Sequence, residues 1–382
     1  MKNKNSKRVA LPLLCTVHCA LCAIIALCAL FNGFEAIETK AASSSEIVME
    51  VSSLRVLHEN NAYEKKEIAS LTKVLTAITV IESCDIEKSV TIKKECTGIE
   101  GSSVYLMPGE TLTVRELLYG LMLRSGNDCA ESLAVYKSGS VEKFGALMNE
   151  KAKSIGAKDS NFVNPHGLSA EGHYSTAYDL ALITCYAMKN SVFKEIVGTK
   201  RIEISNEKGE GKRILYNKNK MLSEYQGATG VKTGFTRRAG RCLISSSLRN
   251  GMEVVCVVLN VGDMFGRSKE LMDRAHNNFK TQKLFDSSKA LAEIPIEDTN
   301  KTCPVYAKKD FYYPVTDSEA DNIKTRIEVP EYITPPLKKD SEIGNIKIYL
   351  FNRLIFSEKI YTIIDVNQKS FFELVKDIVY LW

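Results

Sequence analysis

Three short groups of residues succeed one another along the chain: Ser70-Leu71-Thr72-Lys73, Ser125-Gly126-Asn127 and Lys232-Thr233-Gly234. A serine hydroxyl is inert at neutral pH and becomes a nucleophile only with a base in hydrogen-bond reach. A lysine three residues further along a helix shares a face with the serine. It can act as base if it is neutral, and burial beside a second cation, Lys232, would push its pKa down. Ser125 can relay a proton towards a leaving amine, and Asn127 can orient Lys73 and a substrate amide. Gly234 permits close backbone approach, Lys232 supplies positive potential and Thr233 can bond a carboxylate. Together these residue types suit acyl transfer through a covalent serine intermediate.

No one group is specific alone. Ser140, Ser191 and Ser205 also have a lysine three residues later. The Ser70 copy is set apart by Val74, Leu75, Ile78 and Ile81, which form an apolar stripe at helical spacing just after it. That predicts a buried helix with Ser70 in its first turn, where unpaired N–H groups favour a developing alkoxide and oxyanion. Lys-Thr-Gly occurs once in the chain.

The elements that must position these groups can be read from pattern. Glu46–Glu50 and Arg55–His58 suggest an opening strand pair. Val114–Leu123 is an apolar-periodic helix leading into Ser125, and Val141–Ile155 and Ala177–Met188 are two more, with a turn at Asn164-Pro165-His166-Gly167-Leu168 between them. After Lys232, Cys242, Ile244 and Ser246 alternate with other residues, Arg249-Asn250-Gly251 makes a hairpin turn, and Glu253–Val261 is a buried strand. Lys-Thr-Gly thus enters an antiparallel sheet along which a substrate backbone could lie. Arg267–Phe279 reads as the last helix of this part.

Residues 286–302 read as a polar linker. Beyond it, short strands recur at Val305–Lys308, Lys324–Val329, Ile346–Phe351, Arg353–Lys359 and Tyr361–Asp365, broken by Pro330, Pro335, Pro336 and Gly344, the pattern of a small β-sandwich spanning residues 303–369. Residues 370–382 place Phe371, Leu374, Val375, Ile378, Val379 and Trp382 on one helical face. That face suits either a membrane interface or docking on the β domain.

Length and composition fit a folded chain of two domains: 382 residues, 45% hydrophobic and 25% charged. Lys2, Lys4, Lys7 and Arg8 precede an apolar run from Ala10 to Phe31, with small residues at 41–43, so residues 1–42 read as a secretory signal, cleaved or kept as an anchor. This segment carries +3 of the formal +5 charge. The remainder shows no basic excess for nucleic acid. Four of eleven cysteines also fall there. His18, Cys19 and Cys22 imitate a metal motif, but in an export segment no metal site is expected. No zinc-knuckle spacing exists elsewhere. Cys129, Cys242 and Cys256 stand among apolar neighbours and read as small hydrophobes.

The three groups, in this order, resemble the active-site set of the low-molecular-mass penicillin-binding proteins, serine D-alanyl-D-alanine carboxypeptidases. Asn164–Leu168, His173–Leu180 and Asn217–Leu222 also resemble stretches of that family. The resemblance implies an α+β fold: a penicillin-binding/β-lactamase-like domain, antiparallel sheet packed with helices, over 43–285, followed by a small β-sandwich. It implies Ser70 as nucleophile and Lys73 as base, assisted by Ser125, Asn127 and Lys232. Thr233, Gly234, Phe235 and Arg267 would bind substrate. The backbone N–H groups of Ser70 and Phe235 map to the oxyanion hole, and Arg267 resembles the residue that takes the substrate carboxylate through its bidentate fork. His166 and His173 would hold the loop around the site. The implied substrate is the peptidoglycan stem peptide, with β-lactams as covalent inhibitors, no cofactor, and an extracytoplasmic, membrane-associated location.

Two departures stand out. Arg237-Arg238 replace the acidic residue usual soon after Thr236, and Phe235 replaces a common Tyr or His, so substrate preference is expected to differ. Two other readings compete. A class A β-lactamase would need a deacylating glutamate in a Glu-x-x-Leu-Asn loop, and Glu171 lacks that context. A cell-wall-binding scaffold would not need all the catalytic residue types that are present.

Overall fold

A computed structural model describes residues 43–205, 212–372 and 375. The expected signal segment therefore lies outside the described residues, as does nearly all of the expected amphipathic tail.

The first part is built on a five-stranded antiparallel sheet. Its strands are β1 (Ser45–Glu50), β2 (Val56–Asn60), β3 (Ala228–Thr236), β4 (Gly240–Arg249) and β5 (Met252–Leu259), in the order β2-β1-β5-β4-β3. The opening strand pair thus docks against the last strand, which closes the domain around residues close to 200 positions apart in sequence. β5 is buried along its whole length. Its alternation divides two layers: Val255, Val257 and Leu259 join the main helical core, while Val254, Cys256 and Val258 face the second layer.

The helical layer comprises α1 (Lys73–Ser83), α2 (Val114–Leu123), α3 (Asn127–Ser138), α4 (Val141–Ile155), α5 (Ala177–Met188) and α6 (Ser191–Gly198). α1 runs through its middle and touches each of the other five. Its residues 73–80 are all buried, so the expected one-sided stripe is in fact a helix enclosed on every side. Ser70 precedes it in a tight 3₁₀ turn, Ala69–Thr72, rather than in the α-helix itself. On the other face of the sheet lies α7 (Met264–Asn278), which starts three residues earlier than its apolar pattern suggests because Asp263 caps it through the Gly266 N–H. The thiols of Cys129, Cys242 and Cys256 pack within these cores, and the seven cysteines from Cys84 to Cys303 are all unpaired.

The second part is a β-sandwich. A five-stranded sheet runs in the order Ala292–Pro295, Thr302–Tyr306, Arg353–Thr362, Glu342–Leu350, Ile323–Glu328. It shares a core with the two-stranded ladder Lys280–Phe285 and Phe311–Val315. Two sequence expectations change here. Residues 286–302 are not a linker: Ile294 and Ile296 are buried in the sandwich core, and the polar runs on either side are its turns. Arg353–Lys359 and Tyr361–Asp365 merge into one strand, Arg353–Thr362. Among the described residues no helix is long and apolar enough to cross a membrane.

Arg55 joins the two parts. Its guanidinium donates to the Pro314 carbonyl and to Glu319, each at 2.5 Å, and lies over the rings of Phe279 and Tyr313 at 5.1 and 4.9 Å. A half-desolvated charge held by four partners is costly to remove. Arg55→Met is expected to destabilise the chain by about 1–3 kcal/mol, read as a lowered or split melting transition in calorimetry. An unchanged single transition would contradict this role.

Candidate active site

The site forms where α1, the start of α3, the Asn164–Leu168 turn and β3 converge. Ser70, Asn127, Phe235 and Thr236 line one cleft of about 410 Å³, together with residues 101–103, Tyr105, Arg124, Gly167, Leu168 and Lys218. Beneath it lie Lys73 and Lys232, both buried.

Lys73 is held by three oxygens: Ser70 Oγ at 3.1 Å, Asn127 Oδ1 at 2.6 Å and the His166 carbonyl at 2.8 Å. The last two can only accept, so Lys73 donates to both. A neutral amine has two hydrogens, which these acceptors use. Its lone pair is then left for the Ser70 hydroxyl, the arrangement of a base beside its nucleophile. Among the described residues no carboxylate bonds the amine. Burial first, and then the charge of Lys232, hold its pKa well below the usual lysine range. Lys232 donates to the Thr233 carbonyl at 2.8 Å, and burial, with Lys218 nearby, brings its pKa down to about 7.

Each acceptor is itself fixed. The Asn127 amide donates to the Glu100 carbonyl, which sets its flip so that Oδ1 faces Lys73. Asn164 Oδ1 accepts from the His166 and Gly167 N–H groups, and its amide donates to the Leu168 carbonyl. This side-chain-closed turn aims the His166 carbonyl at Lys73. The turn presses on the nucleophile: a Cβ on Gly167, whose φ is +86°, would lie 1.9 Å from the Ala69 carbonyl oxygen, which only glycine avoids. His166 accepts from the Leu168 N–H at Nδ1 and faces Glu131 through Nε2 at 3.3 Å. His173 accepts from Val163 N–H and meets Thr72 Oγ1 at 2.8 Å; burial lowers its pKa to about 4. Both imidazoles therefore brace the loop, as the sequence suggested.

β3 passes directly over the serine turn. A Cβ on Gly234 would stand 3.2 Å from Ser70 N and 3.3 Å from the Ile68 carbonyl, so the strand glycine is what lets backbone reach the nucleophile. Phe235 projects into the cleft, 65% exposed. Ser125 is buried between α2 and α3 with a left-handed φ of +63°, a backbone strain typical of functional turns. Asp128 accepts from Ser103 and from the Val104 and Leu106 N–H groups, and so anchors the loop that carries the exposed Tyr105 on the rim.

Arg267 does not join this set. On α7, its Nε and Nη2 grip both oxygens of Glu46 on β1 at 2.9 and 2.8 Å, and Nη1 pairs with Glu270 at 2.7 Å. Two carboxylates occupy its fork, and it does not line the cleft. The expectation that Arg267 receives a substrate carboxylate is corrected: its fork clamps helix to sheet. Arg238 pairs with Glu67 at 2.7 Å while remaining largely exposed. Among the described residues no cluster of three or more His, Cys, Asp or Glu is arranged for a metal. Reasoning from sequence missed Arg124 and Lys218, although Arg124 directly precedes Ser-Gly-Asn and Lys218 lies in the noted Asn217–Leu222 stretch.

Residues 32–263 match the family model described as D-alanyl-D-alanine carboxypeptidase. The chain belongs to the D-alanyl-D-alanine carboxypeptidase family. Residues 279–368 match a second model, the C-terminal domain of penicillin-binding protein 5. The chain is similar to D-alanyl-D-alanine carboxypeptidase DacC of Escherichia coli, 31% identical over 370 residues, covering 91% of each chain. It is also similar to DacF of Bacillus subtilis, 28% identical over 362 residues, covering 90% of this chain and 91% of the relative. Among solved structures, penicillin-binding protein 5 from Haemophilus influenzae superposes with a TM-score of 0.73 at 27% identity, over 85% of this chain and 97% of the other. The protein is a low-molecular-mass penicillin-binding protein and a serine-type carboxypeptidase.

The charge arrangement gives a pH dependence with a definite sign. Lys232 depresses the pKa of Lys73. Its removal in Lys232→Met lets Lys73 hold its proton to higher pH, so the acidic limb of the pH–rate profile should move to higher pH. Stopped-flow acylation by a fluorescent penicillin across about pH 5–9 reads this limb independently of the lower overall rate. A limb that stays fixed or moves to lower pH would contradict the coupling.

Proposed function

We propose that this chain removes the terminal D-alanine from peptidoglycan stem pentapeptides, with Ser70 as the acylated residue. The observation that carries the role assignment is the Lys73 amine, buried without a carboxylate and 3.1 Å from Ser70 Oγ. Lys73 takes the Ser70 proton as Oγ attacks the penultimate D-alanyl carbonyl. The backbone N–H groups of Ser70 and Phe235 receive the oxyanion. The proton passes by way of Ser125 to the amine as the C–N bond breaks and D-alanine leaves. Water, deprotonated by Lys73, then cleaves the ester and restores the Ser70 hydroxyl. β-Lactams take the first half of this course and stop at the ester.

The cleft supports slow release of that ester. Among the described residues that line it there is no Asp or Glu to activate a water in the manner of a β-lactamase, and Glu171 is exposed and does not line it. The reading includes export by residues 1–42, a catalytic part over 43–285 and association of the end of the chain with the membrane surface. Phe371 and Phe372, 74% and 83% exposed, support the last point.

A fluorescent penicillin should label the folded protein covalently, and Ser70→Ala should abolish the label. The wild-type adduct should outlast by minutes a mixing time of seconds, with little turnover of nitrocefin. Absence of label on folded protein would refute the activity, and rapid nitrocefin hydrolysis would favour a lactamase.

A further inference from the structure

Lys73 donates to two neutral acceptors, Asn127 Oδ1 and the His166 carbonyl, and both trace back to α3. Asn127 opens that helix. Glu131 stands one turn further on, at the i,i+4 spacing that puts two side chains on one helical face. Its Oε1 lies 3.3 Å from His166 Nε2, the two side chains being 18% and 7% exposed. Helix α3 therefore reaches Lys73 twice: directly through Asn127, and through the residue whose carbonyl takes the amine.

The ring proton that faces Glu131 is fixed by the other nitrogen. His166 Nδ1 accepts from the Leu168 N–H at 3.1 Å. A backbone N–H can only donate, so the hydrogen of the neutral ring sits on Nε2. Burial lowers the His166 pKa, against the pull of Glu131, and the ring is neutral at neutral pH. The imidazole is thus held at both nitrogens. Side chain and carbonyl of one residue share a Cα, and Asn164 closes the turn around it. A ring anchored on α3 therefore restricts where the carbonyl points.

This is a weak pair for a partly buried carboxylate. Elsewhere in this part Glu46 lies against Arg267, Glu110 against Arg213 and Glu253 against Lys194, all permanent cations. Among the described residues the ion-pair partner of Glu131 is His166 alone. A carboxylate that gives up water for a neutral N–H gains less than one that meets a cation. What the contact secures is the orientation of His166 rather than the stability of the fold.

We propose that Glu131 is a positioning residue for acyl transfer: its contact with His166 Nε2 keeps the His166 carbonyl on the Lys73 amine, and so keeps the Lys73 lone pair on Ser70 Oγ. This rests on the assignment of Ser70 and Lys73 above. Glu131 touches neither substrate nor the reacting atoms and exchanges no proton with them.

The test uses the full chain and a fluorescent penicillin mixed by stopped flow. The rate at saturating penicillin reads the chemical step, and the half-saturating concentration reads binding. Glu131→Leu should slow the chemical step roughly ten- to hundredfold, the range that a misplaced catalytic group gives, while binding stays within about twofold. Glu131→Gln keeps an acceptor for the Nε2 proton and should remain within about threefold of wild type. In a His166→Ala chain the carbonyl persists without its ring, so adding Glu131→Leu should cost less than about twofold more. Melting temperatures identify any variant that misfolds, and Glu131→Ala replaces Glu131→Leu if that chain does not fold. An unchanged chemical step in Glu131→Leu would overturn the role. So would equal losses in Glu131→Leu and Glu131→Gln, which indicate a charge effect, or fully additive losses with His166→Ala, which indicate separate structural defects. Weakened binding with the chemical step intact would overturn it too. A wild-type chain that penicillin does not label would overturn the acyl-transfer reading itself, and this role with it.

Discussion

The whole site depends on keeping one lysine amine buried with no anion beside it. A buried charge without a partner costs several kcal/mol, and proteins ordinarily answer with a salt bridge. Here the partners of Lys73 are neutral oxygens, and the nearest strong field is that of a second buried lysine. The only inexpensive state of such an amine is the deprotonated one, which is also the state that can accept a proton from Ser70. Catalytic competence and the electrostatics of folding therefore favour the same protonation state.

Much of the surrounding architecture serves that constraint. α1 is enclosed on every side because it must carry Lys73 out of solvent, and helices α2 to α6 provide the enclosure. The Asn164 turn supplies a carbonyl instead of a carboxylate, and Gly167 lets that turn touch the serine backbone. β3 brings Lys232 to the far side, and its glycine lets strand and nucleophile meet. The clamp of Arg267 on Glu46 fixes α7 against β1, which holds the sheet under these elements. Among its described lining residues the cleft above carries the cationic side chains of Arg124 and Lys218 and no carboxylate.

Much of this was legible in the sequence because it is local. Helices α2, α4 and α5 follow from apolar periodicity, and the β4–β5 hairpin from its Asn-Gly turn. The grouping of Ser70, Lys73, Asn127 and Lys232 was legible through residue type and order. What was not legible depends on partners far apart in sequence. Arg267 looks like a carboxylate receptor until Glu46, 221 positions away, is found in its fork. Residues 286–302 look like a linker because a four-residue strand between polar turns has too few positions to show its alternation. The carbonyl of His166 carries no side-chain signal at all. Lys218 reads as one lysine among many until folding sets it beside Arg124.

The protonation state of Lys73 decides the account. Lysine side chains labelled with ¹³C and ¹⁵N can be titrated by NMR in the free protein, with Lys73→Arg identifying the resonance. The account predicts a neutral Lys73 amine throughout the pH range in which Ser70 is acylated by penicillin. A Lys73 that remains cationic across that range would contradict it.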